Sequence, residues 1–246
     1  MIQDLHSHTY YSFCGADDPR EVVETAIAGG IELLGICDHN YGIGYGRQDF
    51  FATNADDIGN SYGRNLRRYF DHMDLIREKY SDKIKILRGI EIATVGEGRY
   101  ALPDGADISF FDYCLIEHID ATSSITGGDL FGYADRFTCP VGVAHTDLFN
   151  HAKRLGIDPA DYFARMAEKN IFWEMNVNLD SIHKFRTHSY VLSFFEDEDQ
   201  QEIVRSSGVR LSVGFDGHRC NEYKADRVHY YCRKVEDMGI KMAFED

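Results

Sequence analysis

Met1-Ile-Gln-Asp-Leu-His6-Ser-His8-Thr9 is the stretch whose reading decides the fold. Ile2 and Leu5 flank an apolar–polar alternation, so residues 2–8 read as a first strand. Successive side chains on a strand alternate faces, which turns His6 and His8 the same way, close enough to grip one cation. A second pair of that spacing, Asp216-Gly-His218, closes the strand-like run 209–215. Two such pairs at opposite ends of one chain call for a fold that brings first and last strands together. A closed barrel does this. A single His-x-His is more often a surface pair, but two of them on strand ends, with further His and Glu between, point to metal.

The 246 residues, 43% of them hydrophobic, suit one α/β barrel or two small domains. No internal repeat, low-complexity tract or linker divides them, so one domain over 1–246 is expected. The 41 acidic against 26 basic residues give a formal charge of −15, which repels nucleic-acid phosphates and argues against DNA or RNA as partner. Cys14, Cys37, Cys114, Cys139, Cys220 and Cys232 form no C-x-x-C pair and read as reduced thiols. No basic-then-apolar leader precedes Asp4 and no run approaches ~18 apolar residues, so a cytoplasmic protein without a membrane partner is expected.

Along the chain, Asp18 reads as a helix N-cap, with Pro19 at the first helical position and Glu21 completing a capping box. Gly29-Gly30 stops that helix before a second strand, 31–37, ending at Cys37-Asp38-His39. The glycine- and aromatic-rich stretch 40–63 reads as a long loop covering a site. A helix follows, with Leu66, Tyr69, Phe70, Met73 and Ile76 inward. Further strands are expected at 85–92, 110–116, 141–144, 171–177 and 209–215, and further helices at 129–138, from 159, at 196–207 and at 222–238. This alternation predicts parallel strands with right-handed crossovers.

Strand after strand then ends in a metal-capable residue: His6 and His8, His39, Glu91, His118, His145, Asp216 and His218. In parallel barrels the site lies at the C-terminal strand ends, where the βα loops meet. Counting back by twos from His39 gives Cys37, Gly35 and Leu33, and from His118 gives Ile116 and Cys114, all uncharged residues that fit a lumen.

His6-Ser-His8-Thr9, Asp38-His39, Gly89-Ile-Glu91, His118, Ala144-His145, Glu174-Met-Asn176 and Asp216-Gly-His218 together resemble the polymerase and histidinol phosphatase (PHP) phosphoesterases, in that family's order. The resemblance implies a distorted (β/α)7 TIM-like barrel holding two or three divalent ions, zinc, manganese or iron. By it, His6, His8, Glu91 and Asp216 hold one ion, Glu91 bridges to a second completed by His118 and His145, and His39 and His218 reach a third. The family often adds a His or Asp from the loop after the first strand; here the nearest residues are Cys14, the better fit in spacing, and Asp17. Glu91, Asp216 and His218 are the residues the resemblance places at the chemistry.

Imidazole with carboxylate suits zinc, manganese or iron, and clustered divalent ions activate water and offset phosphoryl charge. Arg219, Arg47 and His183 are the candidate substrate contacts, Arg219 first because it adjoins His218. Arg88 lies an odd number of residues from Glu91 and so points out of the lumen. Trp173 reads as outward packing beneath a helix. Glu174 and Asn176 read as groups that orient ligands. His72, His151 and His229 read as surface residues. The expected activity is hydrolysis of a small phosphomonoester, histidinol phosphate being the family's best-known example. Two rivals stand beside it: a metal-dependent amidohydrolase or esterase, against which no strand-end lysine offers a bridging carbamate, and a non-catalytic metal-binding module.

Overall fold

The structure, a computed structural model, describes residues 1–50, 59–96 and 98–245, with the side chains of all of them but 47–49, 59 and 60. Seven strands run in order as one parallel sheet: β1 (Gln3–Ser7), β2 (Leu33–His39), β3 (Lys85–Ala93), β4 (Tyr113–Glu117), β5 (Val141–Val143), β6 (Ile171–Asn176) and β7 (Leu211–Gly214). The sheet curls until its ends meet. Asp216 N donates to His6 O at 2.7 Å, His8 N donates to Gly217 O at 2.8 Å, and Ser7 bridges Gly217 in parallel register. The expected (β/α)7 barrel is therefore what the chain forms. Its irregularity sits in β1, where the register against β2 shifts between Asp4 and Ser7.

Helices α1 (Pro19–Ala28), α2 (Asn40–Phe50), α3 (Gly59–Lys79), α4 (Leu130–Ala134), α5 (Leu148–Arg154), α6 (Pro159–Glu168), α7 (Ser189–Glu196), α8 (Glu198–Ser207) and α9 (Ala225–Asp237) cover the outside. α1 starts as its pattern predicts, with both arms of the Asp18/Glu21 capping box formed. Among the described residues, none of the helices is long and apolar enough to cross a membrane.

The core has two layers. Outside the sheet, residues such as Leu34, Ile36, Ile90, Ile92, Cys114, Ile116, Trp173 and Val213 pack beneath the helices. Inside the lumen, Leu5, Leu33, Cys37, Leu87, Tyr113, Leu115, Ala144, Phe172 and Ala243 form a plug. Tyr113 lies across the plug, and its hydroxyl donates to Leu5 O at 2.5 Å. It fits because Gly35 and Gly89 face it: a Cβ at Gly35 would stand 2.1 Å from its Oη, and one at Gly89 2.4 Å from its Cζ. Trp173 is fully buried facing outward, its indole N–H donating to Thr146 O at 2.9 Å.

Arg88 also faces outward. Its guanidinium takes Asp112 with two hydrogen bonds, at 2.9 and 2.8 Å, and Asp74 with one at 2.7 Å, while lying 4.1 Å over the Phe70 ring. Truncation would strip the half-buried Asp112 of both guanidinium hydrogen bonds and leave it the Arg88 backbone N–H. Arg88→Ala is expected to lower unfolding stability by about 1–3 kcal/mol in denaturant titrations while leaving metal content unchanged.

Two sequence expectations need correction. The stretch 40–63 is not one long loop: residues 40–50 form α2, kinked at Gly46, α3 starts at Gly59, and 51–58 lie outside the described residues. His151 is not on the surface; it is 3% exposed, with Nε2 3.2 Å from Gly128 O.

Candidate metal centre

The register of the sheet gathers the donors. β2 and β3 pair so that His39 stands beside Glu91. The closure of β7 on β1 sets Asp216 and His218 against His6 and His8. His6 Nε2 and His8 Nε2 are 3.2 Å apart. Both face Glu91 Oε2, at 3.3 and 3.4 Å, and Asp216 Oδ1, at 3.6 and 3.1 Å. The other Glu91 oxygen, Oε1, lies 3.1 Å from His145 Nε2. One buried carboxylate thus faces imidazoles from both halves of the centre, which is the position a bridging ligand needs.

Beyond it, Glu117 Oε2 is 3.1 Å from His118 Nε2 and 3.7 Å from His145 Nε2, and Glu117 Oε1 is 3.4 Å from His39 Nδ1. On the opposite side Cys14 lies with His8 and His218, their ligand-capable atoms all within 4.8 Å, and it is hydrogen-bonded to His218 and His39. Burial pushes the Cys14 thiol up, and the His8 charge with those hydrogen bonds outweighs burial and brings it to about 6.

These residues fit divalent metal. Ions held at about 2.1 Å by each donor place neighbouring donors roughly 3–3.5 Å apart, the spacing found here. Glu91 Oε2 and His39 Nδ1 are both sealed from solvent and 2.9 Å apart, yet neither has a well-formed hydrogen bond among the described residues. The centre's field attracts cations. Burial pushes the Glu91 carboxyl up, but the His6 and His39 charges hold it well below the usual carboxylate range. Burial and the Glu91 charge push Glu117 up, and His39 and His118 bring it down to about 2. Burial opposes charge on His145 also, and Glu91 raises it to about 9. The field that would draw protons onto these imidazoles would equally hold cations between them.

A ring of further groups fixes the donors. His6 Nδ1 is 2.7 Å from Glu174 Oε1, and His145 N donates to Glu174 Oε2 at 2.8 Å. Glu174 can reach His6 because Gly214 stands between them; a Cβ there would lie 2.1 Å from Glu174 Oε1. Asn176 Nδ2 donates to Asp216 Oδ2 at 3.1 Å. Asp38 folds the loop after β1 by accepting from Thr9 N at 2.7 Å and from Ser12 Oγ at 2.7 Å, and Ser12 Oγ in turn lies 3.1 Å from His8 Nδ1. His118, His145 and Asp216 have φ of 58°, 23° and 55°. Left-handed backbone at three non-glycine residues costs on the order of 1–3 kcal/mol each and concentrates at functional sites.

Several predicted residues sit differently from expectation. Asp17 is turned away, its Oδ2 accepting from Cys220 N at 2.6 Å, so it is not beside the cluster that holds Cys14. Arg219 is exposed at the rim, with Nη1 3.5 Å from Ser181 Oγ. Arg47 lies on α2, but its side chain falls outside what is described. His183 is part of the centre: Nδ1 is 2.7 Å from Asp180 Oδ1 and Nε2 3.2 Å from Asp216 Oδ2. Counting by twos from His118 also misleads, since Ile116 and Cys114 face outward whereas Leu115 and Tyr113 fill the lumen. His118 has left the strand at positive φ, and Glu117 is the inward residue.

Glu117 and Asp180 were therefore missed. Asp180 is fully buried and also takes His218, with Oδ2 3.0 Å from Nδ1. Parity counted along β4 itself, through Tyr113 and Leu115, would have found Glu117. No local pattern marks Asp180. His188, at the N-cap position of α7 without a side-chain capping bond, stacks on His145 at 5.8 Å between ring centroids, and burial together with the His145 charge lowers its pKa to about 4.

A curated relative, the histidinol-phosphatase of Lactococcus lactis subsp. lactis (strain IL1403), is 27% identical over 112 residues, 46% of this chain and 37% of that protein. The matched segment thus spans well under half of the relative's length. Among solved structures, the histidinol phosphate phosphatase of Lactococcus lactis subsp. lactis Il1403, complexed with zinc, L-histidinol and phosphate, superposes with a TM-score of 0.54. It is 16% identical, over 98% of this chain and 95% of that one. A putative histidinol phosphatase from Listeria monocytogenes gives a TM-score of 0.51 at 15% identity, over 93% of this chain and 99% of that one. These two likenesses share the fold. The model of the PHP domain family matches residues 4–219, nearly the whole barrel, and the chain belongs to that family.

Proposed function

We propose that the protein is a metal-dependent phosphoesterase that hydrolyses a small phosphomonoester of the histidinol phosphate kind. The observation that carries this reading is Glu91. Its two oxygens face His6, His8 and His39 on one side and His145 on the other, at 2.9–3.4 Å. His6, His8, Glu91 and Asp216 would hold one ion, and Glu91, Glu117, His118 and His145 a second. His39, His218 and Cys14 would hold a third. Divalent ions bound there supply an activated water and offset charge on the phosphoryl group. Asp216 Oδ2, held by Asn176 and His183, keeps Oδ1 turned toward His8. Arg219, exposed beside Ser181, and His183, beside Asp216, are the residues that would meet a phosphoryl group and its alcohol, and the relatives named for histidinol phosphate support that substrate class.

A panel of phosphomonoesters, carboxylic esters and amides, assayed with and without zinc or manganese, tests the assignment. Metal-dependent release of phosphate from small phosphomonoesters, without ester or amide cleavage, is expected; the reverse preference overturns it.

The third ion has its own test. Thiolate is a strong ligand for zinc-like ions. Cys14→Ala is expected to lower occupancy of one ion selectively and to reduce activity by about 10-fold, with the thiolate-to-cobalt absorption of cobalt-loaded protein lost. Full occupancy and an unchanged cobalt spectrum would remove Cys14 from the ligand set.

A further inference from the structure

Four aromatic rings form a continuous stack through the centre. His218 stacks on His8 at 4.7 Å between centroids, His8 on His39 at 4.7 Å, and His39 on Tyr41 at 4.8 Å, with interplanar angles of 26°, 27° and 18°. Three of the rings are proposed metal ligands. Tyr41 ends the stack.

The chain holds Tyr41 tightly. The preceding Asn40 is fully buried; its Oδ1 accepts from Ala93 N at 2.9 Å and its Nδ2 donates to Tyr100 O at 3.0 Å. Phe13, Phe50 and Tyr100 pack around the ring at 5.6, 5.5 and 4.9 Å. Aromatic packing alone would be served by phenylalanine, as it is at Phe13 and Phe50. The Tyr41 hydroxyl, however, has no hydrogen-bond partner among the described residues. The charged groups that act on it are those of the metal centre, His39, Glu117, Cys14 and Glu91. A phenol is neutral at pH 7 and carries one donatable proton. In the proposed centre the carboxylates of Glu91 and Glu117 serve metal ions, so the acceptor that suits this donor is one brought by a ligand. A phosphoryl group offers three strong acceptor oxygens.

We propose that the Tyr41 hydroxyl is a further substrate contact, donating a hydrogen bond to a non-bridging oxygen of a phosphomonoester held at the metal centre. This rests on the phosphoesterase reading above. The collar of Phe13, Phe50 and Tyr100 sets the hydroxyl's position in advance, so little side-chain freedom is lost when substrate binds.

Tyr41→Phe keeps the ring and its packing and removes only the donor. With zinc-loaded protein, inorganic phosphate affinity measured by calorimetry is expected to fall roughly tenfold or more. kcat/KM for phosphomonoesters should fall alongside it, while metal content and melting temperature match wild type. Phosphate affinity equal to wild type overturns the proposal. A loss of metal from Tyr41→Phe also overturns it, because the residue would then act through His39 and not on the ligand. Wild-type protein that is fully metal-loaded but neither binds phosphate nor hydrolyses any phosphomonoester defeats the phosphoesterase reading itself, and this inference with it.

Discussion

Glu91→Gln is expected to abolish turnover, by about 10³-fold or more, and to lower metal occupancy while leaving the fold intact. The substitution conserves volume but replaces the charge facing four imidazoles with a neutral amide whose NH2 would point at ring nitrogens. Glu91 is fully buried, so water cannot replace the lost anion. The residues beneath it, Leu87 and Gly89, pack against the lumen plug without using the carboxylate, so the far-UV spectrum should not change. Measured phosphatase rates and elemental analysis decide the matter. A variant that keeps most of its rate and its metal shows that Glu91 does not bridge.

Glu117→Gln is expected to follow at roughly 10²-fold in rate, with loss chiefly of the ion that His118 and His145 also face. Glu117 is buried among His39, His118 and His145, and His39 and His118 hold its carboxyl down at about 2. His118, by contrast, has a side chain 48% exposed. If Glu117 is a ligand, His118→Ala should be milder than Glu117→Gln, since water can take the place of an exposed imidazole more easily than of a buried anion. Equal metal content in Glu117→Gln and wild type would return Glu117 to a merely orienting role.

The contrast between Glu117 and His39 explains what could be read in advance. His39 ends a regular strand, so counting by twos through Cys37, Gly35 and Leu33 reads the lumen correctly; Cys37 and Leu33 belong to the plug, and Gly35 makes room for Tyr113. His118 lies one residue beyond its strand at φ 58°, and there the alternation rule has already lapsed. The barrel and the gathering of His, Asp and Glu at its strand ends were legible because each is encoded in local period and strand-end chemistry. Asp180 was not, because its role arises from the β6–α7 loop folding back onto His218. The glycines of α2 misled for another reason. They read as loop formers, yet a Cβ at Gly42 would stand 2.5 Å from Tyr11 O and one at Gly44 2.0 Å from the Tyr62 ring. They are there for close packing, on the helix that also carries Tyr41.

A polynuclear metal centre built around Glu91 is tested most directly by elemental analysis of protein purified without chelator and then incubated with excess manganese and zinc, with Glu91→Gln measured in parallel. At least two divalent ions per wild-type chain are expected, the number a bridging carboxylate implies, and fewer in the variant. One ion or none in the wild type would contradict the account.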